Sequence, residues 1–160
     1  MKTNSLLAVV FLAVFLAVVL ARPAFASQQI PFKGSLAAVE TDVVQGGTLV
    51  VDGSGVGTAT ELGQFAMAYH VTVDLGTGGS VGTASFVAAN GDSFSTTIIG
   101  QGTPTPDPTI AMIEEIETIT GGSGRFAGAT GSFTLHRVVS LVTGVSTGSF
   151  NGTILNPGKR

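Results

Sequence analysis

From Phe65 to Leu75 the chain alternates without a break. Phe65, Met67, Tyr69, Val71, Val73 and Leu75 fall on one side, and Ala66, Ala68, His70, Thr72 and Asp74 on the other. A period of two is that of a β-strand with one face buried. Comparable runs span Ile30 to Glu40, Leu49 to Glu61, Val81 to Ala89, Ser93 to Gly100, Ile110 to Thr120, Ser132 to Val142 and Val145 to Leu155. With the first run they predict eight strands. The intervals between them carry turn chemistry: Gly46-Gly47, Gly76 to Gly79, Asn90-Gly91-Asp92, the Pro-rich Gly102 to Pro108, Gly121 to Gly124 and Thr143-Gly144. Asn90-Gly91 is the strongest tight-hairpin signal among them, because both positions tolerate positive φ.

Beyond the leader no segment has a helical period, and only the surroundings of Glu114 to Glu117 favour helix locally. The expected class is all-β. Sequential hairpins with short turns predict an antiparallel meander, and closing eight strands into an up-and-down barrel removes the exposed edges that an open sheet would carry. An open sandwich is the alternative. Glycines at 53, 55 and 57 fit a strand that coils tightly around a narrow barrel.

The first 26 residues read as a leader and not as part of the fold. Lys2 precedes the unbroken apolar run Leu6 to Ala21, followed by Arg22, the helix breaker Pro23 and the small-x-small site Ala24-Phe25-Ala26. This is the form of a cleaved secretory signal helix. The run is shorter than the ~20 residues needed to span a bilayer, which argues against a retained anchor. The expected organisation is a signal peptide over 1–26 and a single barrel domain over 27–160, secreted or periplasmic and free of the membrane after cleavage.

Charge and composition then exclude several classes. Without the leader, five basic residues (Lys33, Arg125, Arg137, Lys159, Arg160) face ten acidic ones, and such a surface repels nucleic acid and anionic membrane. The chain has no Cys and two His, so disulfides, thiolate metal sites and a Cys nucleophile are excluded and a His-rich metal site is out of reach. Gly53 to Gly57 lacks dinucleotide spacing, no phosphate loop is completed, and no G-x-S-x-G elbow is present. No metal and no cofactor are expected.

The segment Ile119-Thr120-Gly121-Gly122-Ser123-Gly124, followed by Phe126, Gly128, Gly131 and Leu135, is too specifically spaced for an ordinary loop. Physically, its glycines permit positive φ or close backbone approach, and Phe126 between them is expected to fold back as a plug over one barrel end. A nest of backbone N–H groups near Arg125, able to bind an anion, is the functional alternative. Together with Gly91-Asp92 and Gly100-Gln101-Gly102, the segment resembles the allene oxide cyclase barrel family and its relatives the dirigent proteins, over about Gly91 to Val139. The leader would make this chain an exported, bacterial-type relative. The resemblance implies an eight-stranded antiparallel barrel with an apolar cavity, often a homo-trimer, whose members cyclise or steer reactive apolar intermediates. The cyclases carry a catalytic Glu and a water-holding Asn in early strands; here Ile30 to Leu36 offers no matching acid.

The candidate chemistry lies on the strands flanking the Gly segment. If Met112, Glu114 and Ile116 share the interior with Phe133, Leu135 and Arg137, Glu114 faces Arg137 across an apolar space. A shift of one residue replaces it with Glu115. Glu114, Glu115 and Arg137 are therefore the catalytic candidates, and a surface cross-strand pair is the plainer reading. Phe65, Met67, Tyr69, Phe133 and Leu135 are the candidate ligand contacts, with Tyr69 the polar handle among them. His70 and His136 qualify as bases by residue type alone. Three functions remain open: an exported barrel binding an apolar small molecule, a cyclase or isomerase acting on a flexible apolar substrate, and a structural oligomerising module. They differ in what fills the interior.

Overall fold

The computed structural model describes residues 28–155 and 157–158; the expected signal peptide over 1–26 lies outside them. Eight antiparallel strands close into one barrel in sequence order. They are β1 (Gln29–Gln45), β2 (Thr48–Ala59), β3 (Gly63–Asp74), β4 (Gly79–Ala88), β5 (Ser93–Pro104), β6 (Ile110–Ser123), β7 (Thr130–Ser140) and β8 (Val145–Leu155). β1 pairs with β8 from Gln29↔Leu155 to Val39↔Val145, so no open edge remains. Tertiary pairing overrides the local helix preference of Glu114 to Glu117, which lie in β6.

The period of two becomes an inside and an outside. In β3, Phe65, Met67, Tyr69 and Val71 are buried while Ala66, Ala68 and His70 are exposed. One end of the interior is packed with aromatic rings. The Phe32 centroid lies 5.2 Å from Phe133 and 5.1 Å from Phe150, and Phe86 stacks on Phe94 at 4.8 Å. Offset and edge-on pairs at these separations add to the burial of each ring.

The Gly segment closes this end. The β5–β6 register slips between Ser95 and Thr96, so that Gly121 pairs with Ser95 and Ile119 with Thr96, leaving Thr120 as the extra residue of a bulge. A bulge bends its strand. The chain beyond it turns through the short 3-10 helix Gly124–Phe126, with Gly124 at φ 57° and Gly128 at φ 73°. Phe126 is thereby fully buried, 5.4 Å edge-on from Phe94, as the plug that its spacing predicts. Arg125 lies over the Phe126 ring and 4.0 Å from Asp92.

β1 runs five residues beyond the Glu40 limit read from the sequence, to Gln45. Alternation along this extension continues Phe32, Leu36 and Ala38 into Glu40 and Asp42, which places two acids on the inner wall at the end opposite Phe126.

Candidate functional site

At that opposite end the inner wall turns polar. Register decides which carboxylate of β6 enters: Glu115 is buried, whereas Glu114 is exposed beside His136, its direct cross-strand partner, at 3.4 Å. Met112 and Ile116 share the outer face with Glu114 and are exposed. The arrangement with Met112, Glu114 and Ile116 inside is therefore replaced by the one shifted a single residue, because Ile113, Glu115, Glu117 and Ile119 carry the inward parity that Phe133, Leu135 and Arg137 meet from β7.

Arg137 organises the site. Its Nε donates to Glu115 Oε2 at 2.9 Å and its Nη2 to Glu115 Oε1 at 3.0 Å, a bidentate pair. Its Nη1 donates to Glu40 Oε2 at 2.9 Å and to Tyr69 Oη at 3.1 Å, with Ser146 Oγ at 3.4 Å. The Tyr69 hydroxyl in turn donates to Glu40 Oε2 at 2.6 Å. Five strands thus converge on one buried cluster of two carboxylates, a guanidinium, a phenol and a hydroxyl.

Burial disfavours the guanidinium charge, but Glu115, Tyr69 and Glu40 together outweigh it, and Arg137 is held protonated more firmly than usual. Burial raises the Tyr69 phenol well above its ordinary range. One layer deeper, Thr96 donates to Glu117 Oε2, and burial pushes the Glu117 carboxyl up to about 8, with Glu115 adding to the rise and the Thr96 hydrogen bond opposing it. Glu117 therefore holds its proton more firmly than an ordinary carboxyl, beneath the layer of Arg137 and Glu115.

A cavity of about 150 Å³ sits over this floor. Its walls are apolar, from Leu49, Val51, Val71, Val73, Ile113 and Leu141, and its polar lining comes from Glu40, Asp42, Ser80, Glu115 and Arg137.

Of the residues singled out from the sequence, Glu115 and Arg137 meet at this cavity and Tyr69 supports it from below. Phe65, Met67, Phe133 and Leu135 are buried in the packed interior and do not line it, since their own side chains fill the space a ligand would need. Glu114, His136 and His70 lie on the outer wall, His70 with Asp52 at 2.7 Å. Glu40, Asp42, Ser146 and the Glu117–Thr96 pair were not foreseen. Parity with Phe32, Leu36 and Ala38 marks Glu40 within the first run, and marks Asp42 once that strand is followed past residue 40. Among the described residues no group of three or more His, Cys, Asp or Glu is arranged to hold a metal ion.

No family model matches the sequence, and no curated protein matches it. Among solved structures, the same barrel occurs in a pterocarpan synthase dirigent protein. It superposes with a TM-score of 0.58 at 13% sequence identity, over 86% of this chain and 96% of that one. At this identity the likeness is one of fold. The eight-stranded barrel that the resemblance implies is thus matched in three dimensions by a dirigent protein.

Proposed function

We propose that this protein is an exported barrel that binds a small, largely apolar molecule at its open end, against the floor of Glu40, Glu115 and Arg137. The observation that carries the reading is the cavity itself: apolar walls around a few convergent polar groups, at the end of the barrel opposite the packed aromatic rings. A void of this size holds a molecule on the scale of benzene. A ligand of drug size would need the ~300–1,000 Å³ typical of such sites, so the expected occupant is small or projects from the mouth.

The test is native mass spectrometry of protein purified from its own host, beside an Ala111→Phe variant. Ala111 lines the cavity, and a benzyl group there occupies it. A retained small molecule in the parent and none in the variant is the expected result. Bare protein in both defeats the proposal.

A cyclase or isomerase of the allene oxide cyclase barrel type is the second reading, favoured by the inward carboxylates Glu40 and Glu115 at the cavity floor. A cavity that holds a flexible substrate in a folded shape beside a buried acid supplies orientation and proton transfer together. The two readings separate on the extracted ligand. An isomerase retains two compounds of equal mass, substrate and product, whereas a carrier retains one.

A further inference from the structure

We infer that the group anchoring this ligand is a protonated amine, so that the occupant is a small apolar cation; this rests on the binding reading above. Three carboxylates, Glu40, Asp42 and Glu115, line the cavity against the single guanidinium of Arg137. The guanidinium is already engaged. Of its five N–H groups, one binds Glu115 from Nε, one from Nη2, and the two on Nη1 are shared among Glu40, Tyr69 and Ser146. An incoming carboxylate would find a nearly saturated cation and three like charges.

Acceptors, by contrast, are in surplus. Asp42 stands on the inner face of β1, two residues from Glu40, and its charge is shaped by burial, then by the like charge of Glu40, then by Arg137. The first two push its carboxyl above the ordinary range. Two carboxylates that repel each other across an apolar mouth are relieved by a cation placed between them.

The loops at this end of the barrel have the same sign. The β3–β4 turn contributes Asp74 and the β5–β6 loop Asp107, both flanking the mouth, while Lys33 and Arg125 belong to the far half. The field at the entrance therefore draws cations in and turns anions away. The apolar walls supply the rest of the specificity, because a hydrated metal ion gains nothing from Leu49, Val71, Val73 and Leu141.

Benzylamine, benzyl alcohol and benzoate match in size and differ in the anchoring group. Isothermal titration of the protein at pH 7 with each separates the possibilities. Benzylamine is expected to bind about tenfold more tightly than benzyl alcohol, the margin of a charge-assisted over a neutral hydrogen bond, and benzoate most weakly. Asp42→Asn is expected to shrink the ratio of amine to alcohol affinity. Benzyl alcohol or benzoate binding as tightly as the amine, or a ratio untouched in Asp42→Asn, overturns the cation assignment and leaves the binding site standing. No binding by any of the three defeats both.

Discussion

Arg137 grips Glu115 not from the position opposite it but from two residues along β7: Leu135 is the register partner of Glu115, and Arg137 reaches back along the diagonal to bond both carboxylate oxygens at 2.9 and 3.0 Å. The diagonal reach leaves Nη1 pointing across the barrel, where it meets Glu40 from β1 and Tyr69 from β3. One side chain thus ties β6 and β7 to the strands on the opposite wall.

Removing that side chain strands two buried carboxylates. Arg137→Leu is expected to lower stability by about 3–5 kcal/mol in urea denaturation, the cost of leaving buried charge uncompensated. The double variant Arg137→Leu, Glu115→Leu should recover part of this loss, since it removes one of the stranded charges. Additive losses in the double-mutant cycle would show that the pair is not coupled.

Tyr69 is the only Tyr in a chain without Trp, so its optical signals report the cluster directly. Its ring lies across β2 at Gly53, where a Cβ would overlap the ring atoms. Gly53→Ala should therefore displace the phenol from Glu40, change the tyrosine emission and cost about 1–3 kcal/mol through overpacking. Emission and stability both equal to the parent would show that the ring has room to move.

The phenol also dictates an alkaline limit. Burial raises its folded-state pKa above the ordinary value of 10.0, so the folded chain keeps a proton that the unfolded chain releases. Stability from this group is complete below pH ~10 and declines as the pH rises past it. The tyrosinate absorbance step is expected to coincide with loss of the β-sheet circular dichroism signal, and a step completed while the barrel is intact would contradict the buried placement.

How much of this was legible in the sequence follows from what period two can and cannot encode. The inside of β3 was readable because Phe65 through Val71 alternate with small and polar residues without interruption. β6 was not, because Met112, Ile113, Ile116 and the three glutamates are apolar and acidic on both parities, and only pairing with β7 selects Glu115 over Glu114. Glu40 lies within the run read as the first strand, on the parity of Phe32, Leu36 and Ala38, while Asp42 is hidden because Val39 and Val43 put apolar residues on the solvent side of the strand and mask its continuation to Gln45. Phe126 was anticipated from glycine spacing. The bulge at Thr120 that brings it across the barrel end leaves no comparable mark in the residues.

That plug predicts a large local effect. Phe126 is fully buried and packs edge-on against Phe94, and its replacement by Ala leaves a void at the closed end of the barrel. Phe126→Ala is expected to cost about 3–5 kcal/mol in chemical denaturation. Because the cavity over Arg137 lies at the other end, ligand binding there should survive wherever the variant is folded. Loss of both would mean that the two ends are coupled.

Glu117 gives the barrel a pH dependence of opposite sense to an ordinary surface acid. Its folded-state pKa is pushed up to about 8, above the ordinary 4.5, so between these values the folded state holds a proton that the unfolded state has lost. Its contribution to stability is complete below pH ~4.5 and drains away as the pH rises to about 8, with a slope of up to about 1.4 kcal/mol per pH unit. Glu117→Gln keeps an oxygen to accept from Thr96 and cannot ionise. Thermal denaturation of parent and variant across pH 4 to 9 should therefore give curves that converge in acid and separate toward pH 8, the variant becoming the more stable. Parallel curves would mean that Glu117 is charged inside the folded barrel, and that the layer beneath Arg137 is wetter than its burial implies.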